Sequence, residues 1–155
     1  MGTGIDLGDL VRNAVAVVVA TRDAELRPEM CRAWGPWLSE DGARLTVCVG
    51  AAPGSTMARN LEPGNPVAAS LARLTSHTTV QLKGRVMEVG TPTPERLDAV
   101  HEHIAGFLVE TAEVGVPEAV AQELVGTDLA ELLSVTIAII ERFDDTPGPG
   151  AGRPL

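Results

Sequence analysis

Seven apolar residues in a row, Ala14 to Ala20 in AVAVVVA, restrict what this chain can fold into. The run is far too short to cross a bilayer, which takes about 20 residues as a helix. It is rich in Val, which favours strand over helix. A strand apolar on both faces must be buried on both sides. The stretch TSHTTVQLKGRVMEV, residues 75–89, reads differently. Val80, Leu82, Gly84 and Val86 fall on one side of a strand, and Thr79, Gln81, Lys83 and Arg85 on the other. That polar side is either a solvated face or the wall of a binding site.

The remaining elements follow from local chemistry. Ile5 to Asn13 reads as a short amphipathic helix with Leu7, Leu10 and Val11 on its apolar side. DAEL turns the chain into a second extended segment, residues 27–39, which Pro28 and Pro36 keep irregular or at an edge. Asp41-Gly42 is a hairpin signal, and RLTVCVG alternates cleanly over residues 44–50. Ser55 can cap a helix over residues 56–61, closed by Pro63, Gly64 and Pro66. PVAASLA is a fourth strand and residues 78–89 a longer fifth, where Met87 and Val89 shift the apolar side and predict a bulge. Thr93, Pro94 and Glu95 open a helix that Gly115 stops. Its apolar face is Leu97, Val100, Ile104, Phe107, Leu108 and Thr111. Another helix runs from Pro117 to Gly126, and Asp128 with Glu131 has a capping-box pattern. Residues 134–143 are a sixth strand. Meandering strands, a helical excursion and a final strand favour closure into a small barrel, which removes exposed edges. The Gly- and Pro-rich end predicts a domain over residues 1–145 and a disordered tail over 146–155.

Composition narrows the partners. At 155 residues and 45% apolar content, one domain with a proper core is expected. With two Trp, two Phe and no Tyr, that core must be Val, Ala, Leu and Ile. A formal net charge of −9 argues against nucleic acid and against anionic membrane surfaces. No basic stretch precedes a hydrophobic segment near the start, so no signal peptide and a cytoplasmic setting are expected. Cys31 and Cys48 then read as two buried thiols rather than a disulfide. No metal-ligand spacing is present: His101 and His103 are two apart on a helix, and His77 stands alone in a loop.

Three stretches offer chemistry. In GSTMARN, Ser55, Thr56 and Arg59 form either a phosphate site at a helix start or a capped helix with a surface Arg. TTVQLKG is the polar strand side already described. In CRAWGPW, Arg32 and Trp34 make either a surface for a planar ligand or a Trp packed on the core with Arg at its rim. No Ser–His–Asp or Cys–His pairing announces itself.

The order VAVVVATRDAELRPEMCRAW, RLTVCVG, STMARNLEPGNPVAASLA and TVQLKGRVMEV resembles the pyridoxamine 5′-phosphate oxidase-like superfamily of FMN-binding split barrels, over roughly residues 12–90. The resemblance implies a mainly β fold with helices (α+β): a six-stranded antiparallel split β-barrel with a helical insertion before the last strand. It implies a homodimer binding a small molecule between subunits, FMN first, with a deazaflavin or haem as lesser alternatives. By this likeness Cys31, Arg32, Ala33 and Trp34 line the flavin ring, Ser55, Thr56 and Arg59 hold its phosphate, and Thr79, Gln81 and Lys83 face the groove. Met57 stands where many relatives carry Lys or Arg, so a Met57→Lys change is expected to tighten FMN binding. The activity implied is flavin-dependent oxidation–reduction. A non-catalytic ligand-binding or sensor dimer on the same barrel is the alternative.

Overall fold

Strand β6 (Leu132–Asp144) decides the architecture, because it bonds to a neighbour on each edge. The computed structural model describes residues 4–126 and 129–155. Before β6 come α1 (Leu7–Arg12), β1 (Ala16–Arg22), β2 (Pro28–Leu38), β3 (Arg44–Gly50), α2 (Thr56–Asn60), β4 (Pro66–Ala72), β5 (Thr79–Gly90), α3 (Pro94–Glu113) and α4 (Glu118–Val125). The sheet runs β3, β2, β1, β4, β5, β6, all antiparallel, and the β3–β6 pairing closes it into a barrel. A short β7 (Arg153–Pro154) adds to the outer edge of β6. The helical insertion lies between β5 and β6, as expected. Among the described residues no helix is long and apolar enough to cross a membrane. Asp128, half of the expected capping box, lies outside the described residues; Glu131 ends a 3-10 turn from Leu129.

Alternation fills the barrel. Val17 and Val19 of β1, Leu45, Val47 and Val49 of β3, and Val80, Leu82 and Val86 of β5 converge in one buried cluster. A second, smaller cluster lies outside the barrel wall. There α3 lays Val100 and Phe107 over Trp34 of β2 and Cys48 of β3. Trp34 is 1% exposed and meets Phe107 and His103 edge to face, with ring centroids 5.4 and 5.6 Å away. So α3 covers the outside of β2, with Cys48 of β3 and Ala16 of β1 at its edge, and among the described residues no helix packs broadly on the outer sides of β4, β5 and β6.

The expected apolar face of α3 omits its most connected residue. His103 is buried, and its Nε2 stands 2.7 Å from the Val15 carbonyl. Its Nδ1 accepts the Gly35 N–H at 3.2 Å, so the proton sits on Nε2 and the ring is neutral. Gly35 has φ +59° and marks the kink where β2 shifts register against β3. A Cβ there would lie 3.1 Å from the Val100 backbone nitrogen, so only glycine lets α3 approach. Burial lowers the His103 pKa, and the Val15 bond opposes that more weakly. A depressed folded pKa means that the unfolded chain binds more protons. This part of the stability is therefore whole above about pH 6.5 and drains as pH falls towards the folded value. The urea midpoint is expected to drop between pH 7.5 and 5, above the range where carboxylates titrate. His103→Leu should abolish that slope; an equal slope in the variant would assign it elsewhere.

The segment expected to be a disordered tail, residues 146–155, turns back on the barrel. Thr146 Oγ1 accepts the Thr79 N–H at 3.0 Å, Gly152 N donates to Asp144 O at 2.7 Å, and Leu155 N donates to Arg142 O at 2.9 Å. Composition argues only about side-chain burial. Here backbone groups complete the free edge of β6 instead.

Candidate functional site: the open outer face of the barrel

Register fixes which side chains meet on the uncovered face. One row crosses the sheet through Arg32, Val18, Ser70, Gln81 and Phe143. The next holds Met30, Ala20, Ala68, Lys83 and Glu141. On the other side Ala16, Ala72 and Thr79 align, Ala16 being packed at the edge of α3. The floor is therefore built of small side chains, Val18, Ala20, Ala68 and the polar Ser70, with Gln81 and Lys83 beside them. Lys83 Nζ lies 4.9 Å over the Phe143 ring, and Arg32 caps Phe107 at 5.6 Å. Met30 and Ile140 are large, apolar and mostly exposed on this same side. A cavity of about 580 Å³ opens here, with Arg22, Lys83 and Arg85 against the single carboxylate of Glu141.

Thr79, Gln81, Lys83 and Arg32 thus share one face. The other expected ring-lining residues do not project there. Ala33 is in the barrel core, and Trp34 is closed under α3. Cys31 pairs with Val19 on the inward-facing side, and burial, with Glu29 nearby, pushes its thiol up to about 11. It stays protonated at neutral pH and is no nucleophile.

The expected phosphate residues form a separate group at α2. Ser55 is spent as the cap, accepting the Ala58 N–H at 3.2 Å. Arg59 folds back onto the Gly54 carbonyl and reaches Thr56 Oγ1 at 3.1 Å. Both residues border a cavity of about 560 Å³ shared with the β1–β2 hairpin, which contributes Asp23, Glu25, Arg27 and Glu29. Asp23 organises that hairpin: it accepts the Arg27 N–H and side-chain Nε, and the Glu25 N–H, which together hold its pKa low. Arg27 is neutralised by Asp23 and Glu25 at 2.7 and 3.0 Å. Among the described residues Arg59 makes no ion pair there, though it stands beside three carboxylates.

Met57 corrects an expectation. It does not stand at the mouth of this cavity in place of a basic residue. Its side chain is 5% exposed and packs in the barrel core, where the Thr21 hydroxyl meets its sulfur at 3.6 Å. The helix spacing put residue 57 on one turn with Ser55, but could not say which side of a five-residue helix faces inward.

No protein-family model matches the chain, and no curated protein sequence matches it. Solved structures do. HupZ of Group A Streptococcus superposes with a TM-score of 0.53 at 16% identity, covering 97% of this chain and 100% of that one. A Clostridium acetobutylicum protein related to general stress protein 26, of the pyridoxinephosphate oxidase family, gives 0.51 at 12%, with 90% and 84% covered. HutZ, the haem storage protein of Vibrio cholerae, gives 0.50 at 14%, with 93% and 95% covered.

The fold is the pyridoxamine 5′-phosphate oxidase-like split barrel.

These likenesses run the length of the chain, so the split barrel includes the helical insertion and β6 as well as the strands that carried the sequence resemblance. Several features of this split barrel escaped sequence reading. His103 is one; an i, i+3 step from Val100 and an i, i+4 step to Phe107 put it on the buried face. The carboxylates around Arg59 are others, visible only once the hairpin folds beside α2. Among the described residues no cluster could hold a metal ion.

Proposed function

We propose that this split barrel is a cytoplasmic, homodimeric flavin-binding oxidoreductase, with FMN on the open outer face. The observation that supports this most is the row Arg32, Val18, Ser70, Gln81, Phe143: a floor of small side chains with a guanidinium at one end and an amide beside an aromatic ring at the other. Such a floor suits an isoalloxazine ring, whose carbonyls and ring nitrogens need a few placed donors and acceptors. Gln81 can supply both. A second copy over the same face would bury Met30 and Ile140 and enclose the ligand. A bound flavin would supply the hydride or electron transfer. The chain's own residues would bind, orient and exclude water.

At the phosphate end, Arg59 works beside three carboxylates, so FMN should gain less from its phosphate than a cationic cradle would give. FMN titration is expected to show binding that Gln81→Ala weakens about 5–30-fold, equivalent to about 1–2 kcal/mol. Riboflavin should lose as much. Glu29→Gln should tighten FMN alone, by about 2–5-fold, the scale of one exposed charge. If purified protein shows no flavin spectrum and binds neither compound, the reading fails.

Haem is the second reading, favoured by the likeness to HutZ. Its ligand would have to come from His77 or His101, since both ring nitrogens of His103 are engaged. A Soret band on hemin titration, lost in His77→Ala or His101→Ala, would select it; a deazaflavin would be known by its own absorption.

A further inference from the structure

Away from the flavin groove, Arg96 is placed at a cost. It sits in the first turn of α3, with its backbone N–H held by the Thr93 cap at 3.3 Å. The helix dipole makes that end positive, so a cation there is unfavourable. Its guanidinium stands 5.9 Å over the Trp37 ring. Nη1 is buried and has no hydrogen-bond partner among the described residues. None of the ion pairs among those residues includes Arg96. A half-buried, always-charged group without a counter-charge is rare enough to need an explanation.

Beside it opens a cavity of about 420 Å³ between α1, α3 and the β2 kink, lined also by Arg12, Asn13, Trp37, Glu102 and His103. Trp37 is 47% exposed, because the Gly35–Pro36 kink turns it out of the core. His103 is engaged on both nitrogens and carries no charge to the cavity. Arg12 leans towards Asp9, at 3.8 Å. Arg12 and Arg96 therefore face one lining carboxylate, Glu102, in a chain whose formal charge is −9.

We infer that this cavity is a second ligand site, taking a small planar aromatic carboxylate whose acid group pairs with Arg96 and whose ring lies against Trp37. Guanidinium and carboxylate match as a two-pronged pair, and an indole face favours a flat ring over an aliphatic one. The site goes beyond the flavin reading and does not depend on it.

The test uses 2-naphthoate and 2-naphthamide with the full chain, by calorimetry and thermal shift. Naphthoate is expected to bind one-to-one with a Kd of about 1 mM or tighter and to raise Tm. The amide, and Arg96→Gln with naphthoate, should bind at least tenfold more weakly. Trp37→Leu should lose about fivefold. Because Arg96 makes no ion pair among the described residues, ligand-free Arg96→Gln should melt at the wild-type temperature or above it, and its FMN affinity should be unchanged. Equal binding of acid and amide, wild-type naphthoate affinity in Arg96→Gln, or a fall in its ligand-free Tm would overturn the inference. A parallel loss of FMN binding would do so too, by making the cavity part of the flavin groove.

Discussion

Gly84→Ala is expected to cost more than about 4 kcal/mol, enough to leave most of the chain unfolded or insoluble. At Gly84 the β5–β6 ladder slips register, and the two backbones approach closely. A Cβ on residue 84 would overlap the Ala138 carbonyl oxygen and lie 2.9 Å from its carbon. Neither atom can move without opening the wall, because β6 also bonds to β3 on its far edge. Gly90, at the end of the same strand, is the control: a Cβ there meets nothing within 4 Å. Gly90→Ala should shift the denaturant midpoint by no more than about 0.5 kcal/mol equivalent. Comparable midpoints for the two variants would show that β5 and β6 can separate locally.

Met57→Lys is expected to destabilise rather than to improve ligand binding. The side chain enters the barrel core beside Thr21 and Asn60. A lysine held neutral there at pH 7 costs about 4–5 kcal/mol, from its usual pKa near 10.4. The sign of the pH dependence identifies the cause. The unfolded chain would bind the extra proton, so the variant should regain about 1.4 kcal/mol per unit between pH 7 and 9. Wild type has no such group and should gain nothing comparable from it. A variant that melts like wild type and binds FMN more tightly would mean that the ammonium escapes to the Arg59 cavity, restoring the reading by resemblance.

These two cases mark what the sequence can convey. Period two in residues 79–86 sorted Gly84 with Val80, Leu82 and Val86, and that side is buried. The shifted pattern at Met87 predicted a bulge, and the ladder slips between Val86 and Glu88. The Thr93-Pro94 start and Gly115 stop bound α3 within a residue. Each of these is local chemistry. Orientation is not. Residues 16–20 were apolar on both sides, yet Val17 and Val19 enter the core, Ala16 packs under α3, and Val18 and Ala20 floor the open face. α2 is too short for periodicity to choose its inner side. Trp34 and Arg32 alternate together, but only the docking of α3 hides the indole and leaves the guanidinium at the rim. The site residues were legible as types; their grouping into an outer-face row and a separate α2 cavity depended on strand order.

The double pairing of β6 has a consequence for synthesis. The chain must emerge past Gly90 and then through two helices before β6 exists. At about 5–20 residues per second the roughly 40 intervening residues occupy about 2–8 s. Throughout that interval a nascent sheet from β3 to β5 would carry two unpaired borders, both lined with Val and Leu. On the ribosome this protein would be a sticky open curl. One late strand turns it into a finished ring.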